Sequence, residues 1–317
     1  AIFNESEDQF RVVIGDVGGG FGSKNSMYGE QALVIWAARM LDRPIKWVGE
    51  RSDAFITDFH GRDNVTHGEL ALDQDGNFLG MLVDVTANLG AYISGRGAMS
   101  PVLNQPALAG TYRTPAIHVR VRGMFTNTVP TDVYRGAGRP EAIYLLERLI
   151  DKAADELNID RVELRRRNMI PADAFPYETP LGLTYDGGLF ERNLDEGLRR
   201  MDWDGMVSRR AEAKSRGRRR GIGLANYVER CGHGITQDAQ IKVAADGGVT
   251  VLIGTMSSGQ GHETAYAQIS AELLGVQPSQ VKVIQGDTDL VAQGKGTGGS
   301  WSIPVGGAAM SKAADAI

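Results

Sequence analysis

The sequence holds a single cysteine, Cys231, in 317 residues. This excludes an internal disulfide and any metal or iron–sulfur site built from cysteine thiolates, and it fits a reducing compartment. Long apolar runs are also missing, since nothing approaches the roughly 20 residues needed to cross a bilayer. The most apolar stretch, Ala32 to Leu41, contains Arg39 and is flanked by Glu30 and Asp42, so a buried helix is expected there, with Trp36 and Trp47 in the core. There is no excess of basic residues: the formal net charge is -5, which argues against a bulk nucleic-acid binder. The basic run Arg209–Arg220, interrupted by Glu212, is expected to be a solvated helix face. His60, His67, His118, His233 and His262 are scattered without ligand spacing, and no metal site is expected among them. His67 and His118 are expected at the surface. The opening residues AIFNESEDQF have no initiator Met, basic start or apolar core, so no signal peptide is expected. The chain is expected to be part of a longer protein, with the final SKAADAI inside a continuing helix.

What is present is an ordinary globular composition, 42% hydrophobic and 23% charged. Glycine, at 41 residues, gathers in particular loops. A strand-like run, Phe10–Gly15, feeds the first loop, Asp16–Lys24 (DVGGGFGSK), which opens a helix over Met27–Leu41. Val65–Leu72 and Phe78–Thr86 flank an Asp75-Gly76 turn and predict a hairpin. Ile117–Phe125 alternates with period two and should bury one face. The second loop, Tyr134–Glu141 (YRGAGRPE), leads into a long amphipathic helix with Pro140 in its first turn. Asp160 with Glu163 predicts the cap of a short helix ending at Asn168. Residues 171–185 form a connector, and a polar helix is expected over Phe190–Ser215. The chain is then β-rich: Gly221–Val228, Ala239–Ala245 and Val249–Thr255, the last two around Asp246-Gly247. A third loop, Ser257–Thr264 (SSGQGHET), opens a helix to Leu274. Strand Val281–Ile284 precedes a fourth loop, Gly286–Ser302. The expected organisation is a first domain at 1–172, a connector with a polar helix at 173–220, and a second domain at 221–317 that is incomplete at its C-terminus.

Glycine loops that open helices expose backbone N–H groups at the positive end of the helix dipole and suit phosphates and other anions. Each loop alone is more often a structural turn; four together point further. A Walker loop is excluded, because Lys24 follows Ser23 and precedes Asn25. Gly294, Gly296 and Gly299 satisfy G-x-G-x-x-G, but no βαβ unit starts there, so an ordinary dinucleotide-dependent dehydrogenase rests on one weak match. The pattern points to an extended anionic ligand held by some other means.

The ordered set Gly18–Lys24 (GGGFGSK), Tyr134–Arg139 (YRGAGR), Gly259–Thr264 (GQGHET), Gly286–Thr288 (GDT) and Thr297–Ser302 (TGGSWS) resembles the molybdopterin-binding large subunit of the molybdenum hydroxylases. This is the xanthine dehydrogenase, aldehyde oxidase and carbon monoxide dehydrogenase-like family, and the resemblance covers essentially the whole chain. It implies an α+β fold of two related molybdopterin-binding domains, mixed sheets packed with helices. It implies a molybdenum-molybdopterin cytosine dinucleotide cofactor whose metal is held by the pterin dithiolene, so that no protein metal ligand is needed. By the same resemblance Phe21 and Gly22 would lie beside the metal, Gly19 and Gly20 would bind the cofactor with them, and Arg135 and Gly136 would face the metal. Gln260, Gly261, His262 and Thr264 would hold the pterin and pyrophosphate. Asp287, Thr288, Thr297, Gly298, Gly299 and Ser300 would line the rest. Phe21, Asn25, Tyr134, Gly136 and Ala137 would form the substrate pocket. Implied partners are an iron–sulfur small subunit and an FAD-binding medium subunit, assembled as a homodimer of heterotrimers in the cytoplasm, with no nucleic acid and no membrane.

The departures from the family pattern narrow the substrate. Purine-oxidising members carry a Glu where Asn25 stands and a Phe where Ala137 stands. Carbon monoxide dehydrogenases carry a copper-bridging Cys where Gly136 stands. Hydroxylation of an aldehyde, an N-heterocycle or another small organic substrate with water-derived oxygen remains. The family's general base, a Glu near the subunit's C-terminus, has no counterpart after Ser302, so no catalytic residue is assigned within the chain and the isolated chain is expected to be inactive. Glu263 lies in a cofactor loop, and Glu229, beside Arg230, is expected to be ion-paired. Cys231, near His233, is expected to be buried or incidental. The alternative is a non-catalytic binding or scaffold module that keeps the fold.

Overall fold

The computed structural model describes residues 3–103, 105–232 and 234–317, so His233 lies outside the described residues. The chain forms two compact units, Val48–Glu229 and a second made of Ala1–Trp47 with Arg230–Ile317. Residues 1–47 therefore fold with the C-terminal segment, across the sequence boundaries at 172 and 221.

Taking the helices and strands in chain order, the N-terminal segment contributes α1 (Gly29–Leu41) to the split unit. The unit Val48–Glu229 begins with α2 (Arg51–Thr57) and a three-stranded sheet. In that sheet β1 (Asn64–Leu72) pairs antiparallel with β2 (Phe78–Gly90) around Asp75-Gly76, and β3 (Ile117–Phe125) runs parallel to β2. A short α3 (Met99–Leu103) lies between β2 and β3. Alternation along β2 buries Met81, Val83, Val85 and Ala87 on one face. The expected period-two pattern of β3 appears over Ile117–Val121, whose inward side chains are half-buried. The buried face of β2 is covered by α4 (Arg139–Leu157), which contributes Ala142, Leu146, Ile150, Ala153 and Ala154 to the same core. Leu146 and Ile150 are fully buried, worth on the order of 1.5–3 kcal/mol each.

Helix α5 (Arg161–Asn168) starts where the Asp160 carboxylate accepts the Val162 and Glu163 N–H groups, as the sequence predicts. At its end Asn168 accepts the Phe78 N–H at 2.8 Å and donates to the Gly76 carbonyl at 2.9 Å, tying the helix to the hairpin turn. A two-stranded pair, β4 (Tyr177–Glu178) and β5 (Thr184–Tyr185), follows. The polar helix expected over Phe190–Ser215 is instead two helices, α6 (Phe190–Arg200) and α7 (Met206–Ser215). The break has a local cause. Asp202 adopts a left-handed φ of 47°, its carboxylate pairs with Arg209 at 2.7 Å, and Trp203 turns against the core. Gly221–Val228, expected as strand, forms none and is pinned by side chains instead, as described below.

The split unit repeats the same sheet plan: β6 (Ala239–Val243) is antiparallel to β7 (Val249–Ile253) around Asp246-Gly247, and β8 (Val281–Ile284) is parallel to β7. Helices α8 (His262–Leu274) and α9 (Ala308–Ala314) pack on it around Val249, Val251, Ile253, Tyr266 and Met310. The fold is α+β, with two mixed sheets of matching order, each packed with helices.

Two expectations about burial fail. Helix α1 forms but buries none of its residues: Leu33, Trp36 and Met40 are 62%, 52% and 64% exposed, and Trp47 is 51% exposed. Periodicity dictates the helix, but burial also needs a partner surface. Phe10–Gly15 is extended but is not a strand. It pairs with the fourth loop through a Val13–Asp287 bridge, an Ile14 N–H to Gly286 carbonyl bond of 2.7 Å and a Thr288 N–H to Val12 carbonyl bond of 3.1 Å.

Candidate functional site: glycine loops around a helix N-terminus

In the split unit the first, third and fourth glycine loops converge. The first is built of tight turns, with Ser23 N–H donating to the Gly20 carbonyl and Asn25 N–H to the Gly22 carbonyl, both at 3.1 Å. Gly19, Phe21 and Gly22 have left-handed φ of 114°, 51° and 101°. Phe21 is 52% exposed, although a left-handed backbone is uncommon for a bulky residue. Tyr28, buried at the start of α1, donates to the Ser23 carbonyl at 2.6 Å and fixes the loop's end. Asn25 is exposed beside it. The third loop lies against the first, so that a side chain at Gly259 would meet the Val17 carbonyl at 3.5 Å.

Helix α8 opens at Gly261, which has no side chain to accept the first-turn N–H groups; the first intrahelical bond is Ala265 N–H to the Gly261 carbonyl. The amides of His262, Glu263 and Thr264 thus form a donor set at the positive end of the helix dipole. A relay of side chains fixes this end. Gln260 Oε1 accepts the Ser258 N–H, and Gln260 Nε2 donates to His262 Nε2 at 2.9 Å. His262 Nδ1 then donates to Gln285 Oε1 at 3.1 Å, and Gln285 Nε2 donates to Glu263 Oε1 at 2.6 Å. His262 is 3% exposed and bridges the two glutamine side chains. Glu263 is held by Gln285 and stands 3.5 Å from the Ser257 hydroxyl.

The fourth loop is joined to the third by Thr297, whose hydroxyl donates to the Met256 carbonyl at 2.6 Å and accepts its N–H at 3.1 Å. Trp301 donates to the Gly296 carbonyl at 3.0 Å and lies over Gly298, while Ser300 has a left-handed φ of 57°. Asp287 and Thr288 turn to the N-terminal segment. Arg11 grips the Asp287 carboxylate at 2.7 and 3.1 Å, and the Thr288 hydroxyl accepts the Val12 N–H at 2.9 Å. The hydrogen bonds from Arg11 hold Asp287 below its ordinary carboxylate pKa.

The second loop belongs to the other unit. Gly136, Ala137 and Gly138 are consecutively left-handed, at 93°, 47° and 99°. Arg139 N–H closes the turn on the Gly136 carbonyl at 3.0 Å. Tyr134 and Arg135 are exposed and Ala137 is half-buried. Arg139 is buried and pairs with Glu229 at 2.9 Å, so Glu229 is ion-paired through a residue far from it in sequence. Cys231 is exposed rather than buried. His67 and His118 are exposed, as expected.

Sequence reasoning missed Arg11, Arg62 and Gln285. Gln285 adjoins the GDT segment, which is the only sequence signal any of the three offers. Two surface hollows of about 350 and 330 Å³, one over β1–β3 and one beside β6 and β7, contain none of the expected residues. Among the described residues no group of three or more His, Cys, Asp or Glu side chains could hold a metal ion. Here the donors are backbone amides, hydroxyls and amide side chains, a set suited to phosphate groups.

The sequence profile of the molybdopterin cofactor-binding domain matches residues 1–169, and that of a second such domain matches residues 196–317. The chain belongs to the molybdopterin cofactor-binding domain family. It is 37% identical to the carbon monoxide dehydrogenase large chain of Hydrogenophaga pseudoflava, over 98% of this chain and 41% of that protein. It is 33% identical to the 6-hydroxypseudooxynicotine dehydrogenase complex subunit gamma of Paenarthrobacter nicotinovorans, over 100% of this chain and 40% of that one. Among solved structures, quinoline 2-oxidoreductase from Pseudomonas putida 86 matches with a TM-score of 0.91 and 32% identity, over 96% of this chain and 41% of that chain. The chain thus spans about 40% of the length of the curated relatives it matches. No helix among the described residues is long and apolar enough to cross a membrane.

Proposed function

We propose that this chain is the molybdopterin cytosine dinucleotide-binding part of a molybdenum hydroxylase that oxidises an N-heterocycle with oxygen from water. The observation that carries the proposal is the gathering of three glycine loops around the uncapped N-terminus of α8. When bound, the cofactor supplies the redox centre, with its metal held by the pterin dithiolene. The amides at Gly261, His262 and Thr264, with the Gln260 side chain, hold the pyrophosphate and pterin. Gly19, Gly20, Phe21 and Gly22 flank the metal end. Asp287, Thr288, Thr297, Gly298, Gly299 and Ser300 shape the remaining wall, largely through backbone groups, since the first three direct side-chain atoms at neighbouring loops. Of the residues proposed to select the substrate, Phe21 and Asn25 lie on the first loop of the split unit, and Tyr134, Arg135, Gly136 and Ala137 on the second loop, in the other unit.

Two features favour an N-heterocycle. Gly136, at φ 93°, would place a Cβ 2.5 Å from the Pro140 ring, so a copper-bridging Cys has no room in this loop and carbon monoxide is disfavoured. Two relatives are named for quinoline and for a nicotine derivative. An aldehyde is the second choice. The general base lies outside this chain, and the isolated chain is inactive. The full protein works in the cytoplasm with an iron–sulfur small subunit and an FAD-binding medium subunit, as a homodimer of heterotrimers.

The test uses the full-length protein purified with its neighbouring subunits. Quinoline and benzaldehyde are each supplied with an artificial electron acceptor in ¹⁸O-labelled water. Quinoline-dependent reduction with ¹⁸O in the product is expected. Reduction by benzaldehyde alone would replace the substrate class, and no reduction by either in molybdenum-loaded protein would overturn both classes and point to another small organic substrate.

A further inference from the structure

The Tyr134 end of the second loop is held by a side chain from a distant part of the same unit. His60 N–H donates to the Pro130 carbonyl at 3.1 Å, and Asp132 N–H donates to the His60 carbonyl at 2.8 Å, so this segment runs alongside residues 130–132. Gly61 has no room for a side chain, since a Cβ there would lie 2.5 Å from the Tyr134 Cβ. Arg62 then takes a left-handed φ of 58°, uncommon for an arginine. Its guanidinium lies over the Tyr134 ring, 4.9 Å from the centroid, donates to the Arg135 carbonyl, and approaches the Glu141 carboxylate at 3.6 Å. One side chain therefore touches the ring ahead of the glycines, the backbone entering them, and the first turn of α4. A planar fork can stack on a ring while one nitrogen donates to a carbonyl and another faces a carboxylate; a compact ammonium cannot do all three.

We infer that Arg62 is a positioning residue that sets the Tyr134 ring and the Arg135 carbonyl on the substrate-facing loop, an inference that rests on the function proposed for that loop. The glycine-rich centre has little stiffness of its own, so its geometry depends on its two ends. Glu229 fixes Arg139 at one end and Arg62 fixes Tyr134 at the other.

The test is hydrogen–deuterium exchange by mass spectrometry on the full-length protein carrying Arg62→Gln or Arg62→Lys. In Arg62→Gln, amides of 134–139 should exchange about tenfold faster, the size of losing one charge-assisted hydrogen bond, while peptides from β2 and the second half of α4 keep wild-type rates. Arg62→Lys should fall between, because it keeps a cation near the ring and Glu141 but not the fork. Wild-type loop exchange in Arg62→Gln would overturn the inference. So would equal acceleration throughout the unit, or a lysine variant no better than glutamine. Molybdenum content measured on the same samples separates the two claims. A local loop effect in metal-free protein keeps Arg62's role and removes the functional proposal; a metal-loaded protein without the effect does the reverse.

Discussion

Replacing Arg165 by methionine should destabilise the unit Val48–Glu229 by about 3–5 kcal/mol, the cost of leaving buried charge without its partner. Arg165 is fully buried. It donates to Glu147 and Asp151, each at 2.9 Å, and to the Arg161 and Leu224 carbonyls. Tyr112 donates to the other Glu147 oxygen at 2.7 Å, and Asn226 reaches the Tyr112 hydroxyl. This network, not a strand ladder, anchors residues 224–226 against α4 and α5. Burial already pushes Glu147 above its ordinary value of 4.5, opposed by Arg165. Removing Arg165 raises it further. A carboxyl with a raised folded-state pKa favours the protonated folded protein, so stability is regained as pH falls through the folded value toward 4.5. The variant's deficit, read from urea unfolding, should therefore be greatest at neutral pH and shrink toward that limit. A loss under about 1 kcal/mol, or one that does not vary with pH, would mean that the charges are solvated when Arg165 is gone.

Gly254→Ala should loosen the cofactor loops. Gly254 sits at the end of β7 with the fourth loop passing directly over it. A Cβ there would lie 2.5 Å from Gly294 Cα and 2.6 Å from the Gln293 carbonyl oxygen, both main-chain atoms unable to step aside alone. The same approach lets Gly296 N–H donate to the Gly254 carbonyl at 3.0 Å and lets Gln237 bridge to Lys295 and Gly296. Overpacking of this kind costs up to about 3 kcal/mol, and because the shift moves the strand of loop that carries Thr297, cofactor content should fall with stability. Gly197→Ala is the control. Gly197 lies inside α6 with open space around it, so the same substitution should stabilise by about 0.5–1 kcal/mol. Paired thermal unfolding and molybdenum content measure both. Normal cofactor content in Gly254→Ala would show that the close approach is not needed.

Much of this was legible in the sequence because it is local. Pro140 and the apolar spacing mark α4, Asp160 marks α5, and both Asp-Gly turns mark hairpins in the observed register. Where pairing is long-range, the sequence carries little trace. Periodicity makes α1 a helix but cannot say whether a surface waits for it, and Trp36 and Trp47 stay half exposed. Asp287 was legible as a loop residue, but not its grip by Arg11, 276 positions away. Glu229 was expected to be ion-paired beside Arg230, and its buried partner Arg139 lies 90 positions earlier (229 − 139). Arg62 resembles any surface arginine until the fold brings it onto Tyr134. The glycine motifs announce themselves because their backbone conformations exclude other residues. The side chains that hold those loops in place follow no such rule.

The most direct test of the central claim is metal and nucleotide analysis of the full-length protein purified with its neighbouring subunits: molybdenum by mass spectrometry, and the nucleotide released by acid hydrolysis. Stoichiometric molybdenum with CMP is the predicted result. Neither molybdenum nor nucleotide, from a host able to make the cofactor, would contradict it and leave a scaffold that keeps the fold without the chemistry.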